Sequence, residues 1–149
     1  MATSKQPTKN RTMKTLFATL ATTIALIGFA AAEDAKFEDI SIKDLDKAIK
    51  DKTVVVIDVN GADSYKQAHV PTAIDYATQK DKLAKLLPED KGTLVVAYCG
   101  GPSCGAYQAA AKAAKELGYT NVKHLKAGLS GWLAAEMKVE KGAPGEKES

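Results

Sequence analysis

This 149-residue chain has one arginine, one tryptophan, two histidines and two cysteines, and only 6% of it is aromatic. Beyond Arg11 every full cation is a lysine, so no guanidinium fork is available to grip an anion through two parallel hydrogen bonds. No basic patch interleaved with aromatic residues occurs, which removes the usual footprint of nucleic-acid binding. Two histidines and two cysteines scattered along the chain make no spaced ligand set, so neither a metal nor an organic cofactor is expected. Internal repeats, low-complexity blocks and linkers are also missing. Apolar residues run on at length in one place only, Leu16 to Phe29.

That run has a recognisable context. Lys5, Lys9, Arg11 and Lys14 precede it, and the small residues Ala30, Ala31 and Ala32 follow before the acidic Glu33 and Asp34. Basic, apolar and small residues in this order predict a secretory signal peptide over residues 1–32, cleaved after Ala32. With no twin arginine and no cysteine at the cleavage point, neither a Tat route nor a lipid anchor is expected. The expected destination is periplasmic or secreted, with no stable membrane association after cleavage. The signal holds four of the 21 basic residues, which leaves 17 lysines against 18 acids, so the formal charge of +3 belongs to the signal. Residues 33–140 are enough for one modest domain. Residues 141–149, KGAPGEKES, lack apolar anchors and are expected to form a disordered tail.

The chemistry concentrates in Leu94–Ala106, LVVAYCGGPSCGA. An apolar run that reads as a buried strand ends at Cys99, and a Gly/Pro/Ser loop leads through Cys104 to an alanine-rich helix. A cysteine beside the positive end of a helix is held toward thiolate, the nucleophilic form. Cys99 is therefore the candidate nucleophile; a small apolar residue ending a core strand is the plainer reading. Cys104, five residues on, fits a disulfide partner, a resolving thiol or a loop filler.

Helix and strand alternate around this segment. Ser41 followed by Asp44 predicts a capped helix through Lys50, with Ile42, Leu45 and Ile49 at helical spacing. Val54–Asp58 reads as a strand buried on both faces. Asn60 and Gly61 end it before a short helix, Ala62–Gln67. A brief strand over Ala73–Tyr76, a helix over Gln79–Leu87 and the strand Leu94–Tyr98 follow. Ala106–Leu117 reads as a helix closed by Gly118, Val122–Leu125 as a strand, and Leu129 to Met137 as the last helix. The alternation predicts an α/β fold, a central parallel sheet with helices on both faces. The active crevice of such a sheet lies beyond the carboxyl ends of its strands, where Cys99 falls.

Three ordered segments carry a resemblance. VVVIDVNGADSYKQAHVPTAIDY is similar to the first signature of the single-domain rhodaneses: a strand ending in Asp-Val-Arg, an acidic-x-Tyr helix, then Gly-His-Ile-Pro-Gly-Ala. VVAYCGGPSCGA occupies the place of their strand and active loop, and GYTNVKHLKAGLSGW resembles their closing signature. The resemblance covers nearly all of residues 38–136. It implies a rhodanese-like sulfurtransferase with Cys99 as the persulfide-forming residue.

The departures fall at the anion site. The first signature's arginine is Asn60 here, its glycines are Ala68 and Thr72, and the arginine that ends the usual active loop is Cys104. Anion stabilisation then rests on backbone N–H groups in the loop Gly100, Gly101, Pro102, Ser103, Cys104 and Gly105, and on the helix after it. Asp58 and His69 are expected in supporting roles, His124 as a surface or packing residue ending an edge-like strand, and Trp132 in the core. The leading expectation is an exported sulfurtransferase acting on a small sulfur-containing anion or thiol, or on a protein thiol. A thiol–disulfide redox protein using Cys99 and Cys104, and a non-catalytic binding module, are the alternatives.

Overall fold

The computed structural model describes residues 36–144; the expected signal peptide and residues 145–149 of the expected tail lie outside the described residues. Five strands form one all-parallel sheet: β1 (Glu38–Asp39), β2 (Val54–Asp58), β3 (Ile74–Asp75), β4 (Leu94–Tyr98) and β5 (Val122–Leu125). Their order across the sheet is β1-β5-β4-β2-β3. The helices are α1 (Ile42–Lys50), α2 (Ala62–Gln67), α3 (Tyr76–Gln79), α4 (Leu83–Leu86), α5 (Tyr107–Glu116) and α6 (Gly128–Ala134).

The β-branched runs dictate the centre. Along β2 and β4 successive side chains alternate between two separate cores. Val56, Val96 and Tyr98 pack with Leu45, Tyr65 and Trp132 under α1, α2 and α6. Ile57, Val95 and Ala97 pack with Leu83, Ala110, Ala111 and Ala114 under α4 and α5. Each Val, Leu or Ile so buried contributes about 1.5–3 kcal/mol, which is why continuous apolar strands are stable only between two helical layers. Ser41 caps α1 as expected, its Oγ accepting from the Asp44 N–H at 3.1 Å.

Four expectations need correction. β1 has no apolar signature; it is held from a distance, by the Ile40 N–H donating to the His124 carbonyl at 2.9 Å and by the Lys123–Glu38 ion pair at 2.7 Å. With β1 outside it, β5 is an interior strand rather than an edge. The strand expected over Ala73–Tyr76 is only two residues long, because the Asp75 carboxylate turns the chain, accepting from the Ala77 N–H at 3.0 Å and the Thr78 hydroxyl at 2.7 Å. The helix expected over Gln79–Leu87 is divided into α3, a 3₁₀ turn at Lys80–Lys82 and α4. The last helix stops at Ala134, where Glu136 enters the left-handed region (φ 54°) and the Met137 N–H closes back on the Trp132 carbonyl at 3.2 Å. Met137 still packs on the core, which extends the helical apolar pattern past the end of the helix.

Candidate active site

The loop after β4 gets its shape from α6. The carbonyls of Cys99 and Gly100 accept from the N–H groups of Leu129 and Ser130, both at 2.9 Å. In a trans peptide the C=O and the next N–H point in opposite directions, so the N–H groups of Gly100 and Gly101 face away from α6. Among the described residues no protein acceptor takes the N–H of Gly100, Gly101, Ser103 or Gly105. These are the donors a sulfur anion requires. The N-cap of α5, Ala106, offers no side-chain cap; the Gln108 and Ala109 N–H groups turn back to the Gly105 and Ala106 carbonyls at 3.1 and 3.2 Å, so the helix acts on the loop through its dipole.

Cys99 is buried (4% exposed) at the carboxyl end of β4. Cys104 is half-buried, and its N–H donates to the Gly101 carbonyl at 3.1 Å, which folds the loop into a turn. The turn brings the two cysteines together as a disulfide, with Cα atoms 6.1 Å apart. The loop geometry thus pairs Cys104 with Cys99.

Asp58 and Tyr98 stand side by side where β2 and β4 end. The buried Asp58 carboxylate accepts from the Tyr98 hydroxyl, from the Asn60 N–H at 2.7 Å and from Asn60 Nδ2 at 2.8 Å. The Tyr98 hydroxyl in turn accepts from the Val70 N–H at 3.0 Å. Burial pushes the Asp58 carboxyl above its ordinary range, while these donors hold it down. Burial and the Asp58 charge drive the Tyr98 phenol strongly upward, so it stays a donor. A Cβ on Gly100 would come 3.3 Å from Asn60 Oδ1, so Asn60 flanks the loop with its amide turned back to Asp58.

His69 is built into a different contact. Its ring stacks on Tyr65 with centroids 3.6 Å apart, and its Nδ1 donates to the Tyr65 carbonyl at 2.7 Å. Its backbone exchanges two 2.9 Å hydrogen bonds with Glu140. It thus ties α2 to the segment after α6, and none of its hydrogen bonds reaches Cys99.

A cleft of about 560 Å³ opens on the other side of the loop, with Pro102, Ser103, Cys104 and Gly105 in one wall. Facing them are Phe37, Tyr107 and His124, together with the exposed Lys36 and Lys126. Sequence reasoning missed the two lysines, which are far apart in the chain and meet only because β1 pairs with β5. It also set His124 at an edge. The residue is instead only 6% exposed, and its ring lies parallel to Tyr107 with centroids 3.3 Å apart. Burial lowers its pKa, opposed by Asp39 and assisted by Lys126. Its Nε2 is the one buried side-chain polar atom among the described residues without a hydrogen-bond partner.

Comparison with known proteins agrees with this architecture. The model of the rhodanese-like domain matches residues 41–135. The BH2092 protein of Bacillus halodurans is 31% identical, with a TM-score of 0.55 over 70% of this chain and 77% of that one. The HTH-type transcriptional regulator Rv0324 of Mycobacterium tuberculosis is 34% identical over 93 residues, 61% of this chain; the chain spans 39% of that relative's length. A thiosulfate sulfurtransferase from Pseudomonas aeruginosa shares the fold at 20% identity, with a TM-score of 0.60 over 74% of this chain and 20% of that one. The match of the family model over residues 41–135, on a five-stranded parallel sheet, shows that this chain belongs to the rhodanese-like domain family.

Proposed function

We propose that the domain is a sulfurtransferase that carries sulfur as a persulfide on Cys99. The observation that supports it best is the setting of Cys99, buried at the end of β4 in a loop whose Gly100 and Gly101 N–H groups lack acceptors among the described residues. The Cys99 thiolate attacks the outer sulfur of a thiosulfate- or polysulfide-type donor. The donor's S–S bond breaks, and its remainder leaves with the electron pair. A nucleophilic acceptor (cyanide, a small thiol or a protein cysteine) then takes the outer sulfur and returns Cys99 to thiolate. Preorganised N–H donors favour both charged sulfur species, as they do in other covalent mechanisms. The cycle begins from the reduced pair, since Cys99 joined to Cys104 has no free thiolate. The reading includes export, supported by the charge and hydropathy order of residues 1–32.

A second reading, a thiol–disulfide redox protein, is favoured by the pairing of Cys99 with Cys104. Intact mass separates the two. Reduced protein treated with thiosulfate or polysulfide is expected to gain one sulfur. Loss of two hydrogens without sulfur gain favours the redox pair, and two inert thiols would leave a non-catalytic binding module.

A further inference from the structure

The two sulfurs of the Cys99–Cys104 pair are not equally reachable. Cys99 is 4% exposed, whereas Cys104 is half-buried and forms part of the cleft wall. A thiol arriving through the cleft meets the sulfur of Cys104 first. The same cleft carries two ammonium groups, Lys36 and Lys126, neither with a carboxylate within ion-pair distance among the described residues. Of the two carboxylates that also border it, Glu38 is neutralised by Lys123 at 2.7 Å, whereas Asp39 accepts from the Lys126 backbone N–H at 2.7 Å and keeps its charge, so the cleft is left with one positive charge in excess. His124 lines the same cleft, its ring stacked on Tyr107 and its buried Nε2 without a partner among the described residues, so its ring resonances report on occupancy of the cleft.

We propose that this cleft docks a low-molecular-weight thiol bearing a carboxylate, which opens the Cys99–Cys104 disulfide by attack on Cys104 Sγ. The ligand's carboxylate lies toward Lys36 and Lys126, and its thiol toward Cys104. The thiol loses its proton to solvent, and the thiolate forms a new S–S bond to Cys104. The Cys99–Cys104 bond breaks and its electron pair leaves on Cys99. That leaving thiolate faces the unpaired loop N–H groups, and thiol–disulfide exchange is faster when the leaving thiolate is stabilised. A second thiol then displaces Cys104 from the mixed disulfide, so two small thiols are oxidised to their disulfide and the protein pair is reduced. The proposal deepens the sulfur-transfer reading by naming what regenerates Cys99 and through which sulfur.

The test is a quenched exchange on the oxidised protein with 3-mercaptopropionate, 2-mercaptoethanol and cysteamine at matched thiolate concentrations. Free thiols are alkylated at early times and the adducts mapped by mass spectrometry. The expected result is a mixed disulfide on Cys104 with Cys99 alkylated, forming fastest with the anionic thiol and slowest with the cationic one. Each step should be up to about fivefold, the range for solvent-exposed charge pairs. Lys36→Gln with Lys126→Gln should flatten that order. In the Cys104→Ser variant, which cannot exchange, 3-mercaptopropionate should shift the His124 ring resonances saturably. Adducts on Cys99, equal rates for the three thiols, an order unchanged by the lysine variants, or an unmoved His124 would each overturn the proposal. Sulfur gain by protein reduced beforehand is read separately. If that alone fails, the sulfur-transfer reading falls and the thiol-docking proposal stands.

Discussion

A Cβ on Gly128 would lie 2.6 Å from the carbonyl oxygen of Cys99 and equally close to the Gly101 nitrogen. The first residue of α6 is thus pressed against the backbone of the loop after Cys99, in the left-handed region at φ +62°. No other residue type meets both conditions. Gly128→Ala is expected to cost about 1–2 kcal/mol for the backbone conformation alone, with the clash in addition. The loop would have to leave α6, releasing the two carbonyl contacts that orient its N–H groups. Urea unfolding and sulfur gain should both suffer; an unchanged midpoint would show that the loop gives way at no cost.

The Tyr98 hydroxyl bridges the Val70 N–H and the Asp58 carboxylate inside the core. Tyr98→Phe leaves one buried donor and one buried acceptor short of a partner, at about 1–3 kcal/mol for each unsatisfied group. The expected result is a clearly lower denaturation midpoint with Cys99 still able to accept sulfur. A wild-type midpoint would mean that water or a shifted side chain replaces the hydroxyl.

The two cysteines are separable by serine. Cys99→Ser is expected to abolish sulfur gain while keeping the fold, since a hydroxyl is a far weaker nucleophile than a thiolate at neutral pH. Cys104→Ser removes the disulfide but keeps the loop N–H groups, so it should still gain sulfur on Cys99. Sulfur gain measured by intact mass decides both. A wild-type rate in Cys99→Ser would exclude Cys99 as the carrier.

Much of this was legible from residues alone, where the cause was local. The β-branched runs at Val54–Asp58 and Leu94–Tyr98, the Ser41 cap and the alanine face of α5 each follow from neighbours in sequence. Cys99 at a strand end, with glycines after it, was legible for the same reason. What escaped was set by distant partners. Glu38 and Asp39 form a strand only because β5 offers an open edge; that pairing, with Tyr107 stacked on its ring, buries His124 and brings Lys36 and Lys126 to one cleft. Asp75 reads as an ordinary polar residue until its carboxylate is seen capping α3. Spacing brought Cys104 within reach of Cys99, but only the turn closed by the Gly101 carbonyl joins the two sulfurs.

His124 gives a pH signature. Burial lowers its pKa below the ordinary 6.5, so below that value the unfolded chain binds a proton that the folded one refuses. Stability from this group is full above 6.5 and is lost as the pH falls toward the depressed folded value. Asp39 works against the shift and Lys126 with it. The slope of stability just below pH 6.5 should flatten in His124→Phe, which keeps an aromatic ring against Tyr107. Equal slopes in the two proteins would show that His124 protonates freely in the folded state.

Arginine at position 104 tests the anion site directly. The resemblance implies an arginine at that position of the loop, whereas this chain has a half-buried cysteine and no arginine at all beyond residue 11. Cys104→Arg removes the disulfide, so Cys99 is permanently free, and it adds a fixed cation to the cleft wall. The added guanidinium can donate two parallel hydrogen bonds to a sulfonate-like oxygen pair, which a lysine cannot match. A charge-assisted hydrogen bond contributes about 1.5–3 kcal/mol, roughly ten- to a hundredfold in affinity. Steady-state kinetics with thiosulfate should therefore show a lower KM, compared with Cys104→Ser so that loss of the disulfide is common to both. The comparison matters because either variant frees Cys99, and only the arginine supplies the charge. An equal or higher KM in the arginine variant would mean that position 104 does not face the donor. The loop N–H groups would then carry the anion alone.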